Sequence, residues 1–113
     1  MTDNYLRAIH VTRVIDGDTI VADVDLGYHT TLTKVTYRVA RVDAPEMTGA
    51  TRQAGIEARS FTATWLIAHE KAGIYATSTK TDNWRRYIAE ITCGDGHNLS
   101  DALLASGNAV IYK

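Results

Sequence analysis

Two strand-like runs of this chain break off into acids, one at Asp16-Gly17-Asp18-Thr19 and the other at Asp43-Ala44-Pro45-Glu46. Around the first break, Tyr5 to Ile15 and Ile20 to Leu26 read as a hairpin joined at the Asp-Gly turn. In its second arm Ile20, Ala22, Val24 and Leu26 alternate with Val21, Asp23 and Asp25, the period of a strand with one buried face. Leu32 to Val42 leads into the second break, with Val35, Tyr37 and Val39 on one face and Thr36, Arg38 and Ala40 on the other. Arg38 therefore points away from the apolar stripe. Pro45 fixes its own φ and biases Ala44 toward extended backbone, so Asp43 and Glu46 are presented from a stiff corner.

Beyond the second break the period changes. Ala54, Ala58, Phe61, Trp65 and Ala68 recur at spacings of four and three, which predicts a helix from about Gly55 to His69 with one apolar stripe. Ala72 to Ser78 and Tyr87 to Cys93 read as strands, and Gly94-Asp95-Gly96 turns the chain into a helix capped by Asn98 and stopped by Gly107. Five strands with an interposed helix make an α+β chain suited to a small Greek-key barrel of the OB type. Fold alone licenses no function.

At 113 residues, with one proline and scattered glycines, the chain reads as a single domain over residues 1–113 without linker or repeat. Met1-Thr2-Asp3-Asn4-Tyr5 lacks the basic and apolar parts of a signal peptide, and no run approaches membrane-spanning length. That reading is compatible with the cytoplasm of a bacterial or phage-infected cell. The lone Cys93 lies in a strand-like run, where a buried small hydrophobe is expected rather than a nucleophile. The histidines at 10, 29, 69 and 97 show no metal-ligand spacing, and none pairs with Cys93 in a zinc pattern. No Gly-x-Ser-x-Gly setting supports serine hydrolysis.

Two or three carboxylates brought together from different strands supply the oxygen ligands that hard cations such as Ca2+ and Mg2+ take. Taken singly, Asp16 and Asp18 read first as a plain hairpin turn, and Arg38, without acids nearby, as a strand arginine reaching to solvent. The pattern sharpens when Arg38 and Arg86 join the acids, because a guanidinium grips two phosphodiester oxygens at once. Arg86 sits in the polar loop Thr81-Asp82-Asn83-Trp84-Arg85-Arg86, which also reads as a solvated turn with a surface tryptophan.

Five ordered segments together resemble the staphylococcal nuclease family, thermonuclease-like enzymes that hydrolyse DNA and RNA with Ca2+. They are Val14 to Thr19, Arg38 to Glu46, Glu57 to Phe61, Thr81 to Arg86 and Asn98 to Gly107, and their order holds from about Tyr5 to Ile111. The resemblance implies the same OB-type barrel. It implies Asp18, Asp43 and the Ala44 carbonyl as Ca2+ ligands, with Asp16 a further acid near the metal, Glu46 as general base, and Arg38 and Arg86 as phosphate clamps. Ala44 stands where a threonine is common, Trp84-Arg85 replaces a common Tyr-Gly, and the loop from Met47 to Ala54 is shorter and less basic than usual. Typical members continue past the equivalent of Lys113 through a further helix, so that family helix is expected to be missing here.

The resemblance thus implies a Ca2+-dependent nuclease acting on DNA and RNA with little sequence specificity and leaving 3'-phosphate ends. Trp84, Arg85, Tyr87 and Tyr112 are expected to contact nucleic acid, the aromatic rings by stacking on bases. No membrane partner is expected. A homo-oligomer through the C-terminal face would cover apolar surface near Ala109, Ile111 and Tyr112. The formal net charge of −1 is low for a nucleic-acid enzyme and favours a rival reading. In that reading the chain is an OB-type module with weak or no catalysis that binds nucleic acid or a protein partner.

Overall fold

The first hairpin forms at the acids. In the computed structural model, which describes residues 6–81 and 86–112, with backbone alone at 79–81, β1 (Leu6–Asp16) pairs antiparallel with β2 (Thr19–Gly27). The register is irregular between Val14 and Asp16, and such a bulge re-aims the side chain at a strand end. Strand β3 (Thr30–Val39) returns along β2 with Thr19 opposite Arg38 and Ile20 opposite Tyr37, so the register alone brings Arg38 to the acid turn.

The third strand is shorter than the expected span to Val42. It stops at Val39, a turn follows, and Arg41 takes a left-handed φ of 70° before the two-residue β4 (Val42–Asp43). An arginine in that conformation is strained, and its side chain is held from several sides. Arg41 Nε and Nη2 donate to Glu90 at 2.6 and 2.8 Å, and Nη2 also reaches Asp101 at 3.1 Å.

Helix α1 (Arg52–His69) starts three residues before the expected Gly55, after a 3-10 turn at Gly49–Thr51. Its buried face is Gly55, Ala58, Thr62, Trp65 and Leu66, which corrects the predicted stripe: Ala54 and Ala68 are exposed. A polar residue, Thr62, sits on the inner face because its hydroxyl donates to the Gly17 carbonyl at 2.6 Å. Apolar periodicity alone could not include it.

Strand β5 (Ile74–Thr81) pairs antiparallel with both β1 and β6 (Tyr87–Cys93), and β6 runs parallel to β3. Among the described residues this closes a five-stranded barrel in the order β1-β2-β3-β6-β5, the expected OB-like α+β fold. Helix α2 (Leu99–Ser106) has the predicted ends, Asn98 accepting from the Asp101 N–H and Gly107 in a left-handed conformation. Leu99 and Leu103 of α2 join Ile20, Val39, Val42 and Ile91 as fully buried core. A short β7 (Val110–Ile111) then pairs with β4 and places the chain's tail beside Asp43.

Candidate functional site

The two acid corners meet across the barrel rim, joined by one arginine. Arg38 Nη1 donates to Asp18 Oδ2 at 3.0 Å, and its Nη2 lies 3.6 Å from Asp43 Oδ1 and donates to the Val42 carbonyl at 3.2 Å. Asp18 is buried at 5% exposure, a position a carboxylate tolerates only when its oxygens are partnered. Besides Arg38, Oδ2 accepts from the Ala44 N–H at 3.0 Å, while Oδ1 accepts from Thr19 Oγ1 at 3.2 Å. The backbone of the second corner therefore fixes the carboxylate of the first.

Asp16 accepts from the Asp18 N–H at 3.3 Å. Burial, the hydrogen bond to Asp18 and the charge of Asp18 push its carboxyl up to about 6. Asp18 and Asp43 thus share the Arg38 guanidinium, and Asp16 is tied to them through the Asp18 backbone. The carboxylate oxygens of Asp16, Asp18 and Asp43 are the donor type that suits a hard divalent cation.

Helix α1 is the platform beneath both corners. A Cβ on Gly17 would lie 2.8 Å from Ala58 Cβ and 2.9 Å from Ala44 Cβ, so the acid turn packs directly on the helix and on the second corner. Likewise a Cβ on Gly55 would lie 2.5 Å from the Glu46 carbonyl oxygen, and Thr51 Oγ1 donates to that carbonyl at 2.8 Å. The Glu46 backbone is pinned while its side chain is exposed. Gly55 and Thr62 are positioning residues that sequence reasoning missed, and Gly17 and Ala58 were read only as a turn residue and a stripe residue. Their signal, small residues where two elements touch, is visible only once the partners are known.

Tyr112 follows β7, and the Arg38 guanidinium lies over its ring at 4.9 Å from the centroid. Asp43 and Tyr112, with Leu104, Val110 and Ile111, line a groove at this edge. Arg86 immediately precedes β6, whose register sets Ile88 beside Arg38, and it is half-buried. Tyr87 is partly exposed, 6.2 Å from the Tyr37 ring. The structure therefore gathers Asp16, Asp18, Arg38, Asp43, Ala44 and Tyr112. Glu46 and Arg86 belong to neighbouring segments, and Trp84 and Arg85 lie outside the described residues.

A model of the family described as staphylococcal nuclease homologue matches residues 36–113. The chain belongs to the staphylococcal nuclease family. The match begins within β3 and takes in Arg38, Asp43, Ala44, Glu46 and Arg86, while Asp16 and Asp18 precede it and are tied to it through Arg38 and Ala44. Among curated proteins no match is found. A domain of this family is a nuclease-type or nucleic-acid-binding module, and such enzymes are in general Ca2+-dependent. Among the described residues no helix is long and apolar enough to cross a membrane. The expected homo-oligomer has no support. Ala109 is buried within the chain and β7 is paired with β4, although Val110, Ile111 and Tyr112 stay exposed.

Proposed function

We propose that residues 1–113 act as a single Ca2+-dependent nuclease domain that hydrolyses DNA and RNA phosphodiesters and leaves 3'-phosphate ends. The observation that carries this reading is the convergence of the two acid corners, Asp18 and Asp43 on Arg38 with Asp16 bonded to the Asp18 backbone and Asp18 to the Ala44 N–H. Asp18, Asp43 and the Ala44 carbonyl would hold the cation, with Asp16 beside them. Bound Ca2+ supplies Lewis-acid polarisation of the phosphoryl group.

The remaining chemistry belongs to the side chains. Glu46, exposed on a pinned backbone, takes a proton from the attacking water. Arg38 and Arg86 donate to the non-bridging oxygens and stabilise the charge that grows there in the transition state. Tyr112, stacked under Arg38, together with Trp84, Arg85 and Tyr87 contacts the bases or backbone of the strand. A base has a π-face whatever its identity, so such contacts give little sequence preference.

A net charge of −1 favours the second reading, a binding module with weak or no catalysis. Incubating single-stranded DNA, duplex DNA and RNA with the protein in Ca2+, in Mg2+ and in chelator separates the two. Cleavage that needs Ca2+ supports the nuclease. Retention of nucleic acid without cleavage in any condition supports the module.

A further inference from the structure

At the far end of α1, four side chains of different chemistry converge. They come from the helix terminus (His69), the end of β6 (Cys93) and the turn leading to α2 (Asp95 and His97). Their candidate donor atoms all lie within 4.8 Å of one another. His69 Nδ1 is 3.0 Å from Asp95 Oδ2, His97 Nδ1 is 2.9 Å from Asp95 Oδ1, and the Cys93 thiol donates to the same Oδ1. Cys93 is buried as expected, and its thiol is also engaged by Asp95 and by the His97 carbonyl. Sequence spacing could show Cys93-x-Asp95-x-His97 but not the helix that carries His69 alongside.

We propose that His69, Cys93, Asp95 and His97 form a four-coordinate site for Zn2+ or a similar borderline transition metal, separate from the acid site at the barrel rim. One thiolate, two imidazoles and one carboxylate are the ligand types of such a site, and the soft sulfur selects against Ca2+ and Mg2+. Zn–S and Zn–N bonds of about 2.3 and 2.0 Å put tetrahedral donors roughly 3.3 to 3.7 Å apart, and the four candidate donors here already lie within 4.8 Å of one another. The Asp95 carboxylate draws the other three together by accepting their hydrogen bonds. Metal binding breaks the Cys93 S–H bond, forms a metal–sulfur bond and releases the proton to solvent.

Four protein donors leave no open position, so the site is structural. It clamps the C-terminus of α1 to the β6–α2 turn. The His69 ring is already oriented by its packing on Trp65, with centroids 4.4 Å apart, and by the His97 ring at 4.9 Å. Cys93 is buried at 5% exposure, which shields the metal–sulfur bond from solvent.

The test is a titration of chelator-treated protein, kept reduced with a phosphine, with Co2+ and then Zn2+. The expected result is one equivalent of Co2+ giving a thiolate-to-cobalt charge-transfer band with intense tetrahedral visible bands, both bleached by Zn2+ and unaffected by excess Ca2+. Cys93→Ser should abolish the charge-transfer band. His97→Ala, at an exposed position, should weaken Zn2+ binding at least about 100-fold, since even loss of an outer-shell partner costs 10 to 100-fold. Asp43→Asn should leave the titration unchanged. A folded wild-type protein that shows no thiolate band, or a His97→Ala variant that binds as tightly as wild type, overturns the site.

Discussion

Gly17 illustrates how much of the acid site depends on atoms that carry no charge. Its missing Cβ lets the turn lie against Ala58 and Ala44, and its carbonyl takes the Thr62 hydroxyl. Gly17→Ala should therefore destabilise the fold by about 1 to 3 kcal/mol in urea unfolding, the usual cost of overpacking, and should displace Asp16 and Asp18. Thr62→Val keeps the shape but leaves the buried Gly17 carbonyl without its partner, at a cost of about 1 to 3 kcal/mol by the same measurement. A neutral outcome for Thr62→Val would mean that the helix does not hold the turn through this bond. The sequence marked Gly17 only as a turn residue, because the close approach involves side chains distant along the chain. Arg38 was legible by contrast. Its neighbours Val35, Tyr37 and Val39 are buried, so period two alone sends it to the other face.

At the scale of elements, the turn between β3 and β4 decides where Asp43 lies, and a charged knot holds it. Arg41 bonds Glu90 of β6 and Asp101 of α2, Asn98 donates to Glu90 at 3.0 Å, and Ser100 Oγ donates to the Ala40 carbonyl at 2.6 Å. The hydrogen bond from Arg41 lowers the Glu90 carboxyl below its ordinary 4.5. A folded pKa below the unfolded one means the stabilisation is present above about pH 4.5 and fades as pH falls through the lowered value. Glu90→Gln should thus cost at most about 1 kcal/mol at neutral pH, since half-exposed pairs are screened. The difference should vanish in strong acid, as followed by denaturation against pH. An equal deficit at every pH would assign the role to packing rather than charge. The knot was not legible beforehand, since β3 read as running through to Val42. The strand pattern, α2 and both its caps were, because period and cap residues are local signals. On α1 the expected Ala58 and Trp65 are buried and Phe61 packs on the core, but Thr62 was missed because a residue chosen for a hydrogen bond carries no apolar signal.

For the whole molecule, the net charge of −1 gives no broad attraction for nucleic acid, so affinity must be local, at Arg38, Arg86 and a cation held by the acid corners. Millimolar Ca2+ should raise the melting temperature by binding the folded state, and Asp18→Asn or Asp43→Asn should remove most of that shift. An undiminished shift in both variants would place the Ca2+ elsewhere. The barrel and the acid corners were readable because strand ends and turns are written in short segments. The His69, Cys93, Asp95 and His97 cluster was not, because closing the barrel is what brings α1 to the end of β6. The sharpest question is whether Glu46 does chemistry at the rim or only contributes to its shape. Turnover and oligonucleotide affinity measured side by side in Ca2+ for wild type and Glu46→Gln answer it. A base acts only in the transition state, so the account predicts unchanged affinity and turnover lower by about 10² to 10⁴. Cleavage by Glu46→Gln at the wild-type rate, or no Ca2+-dependent cleavage by wild type at all, would contradict it.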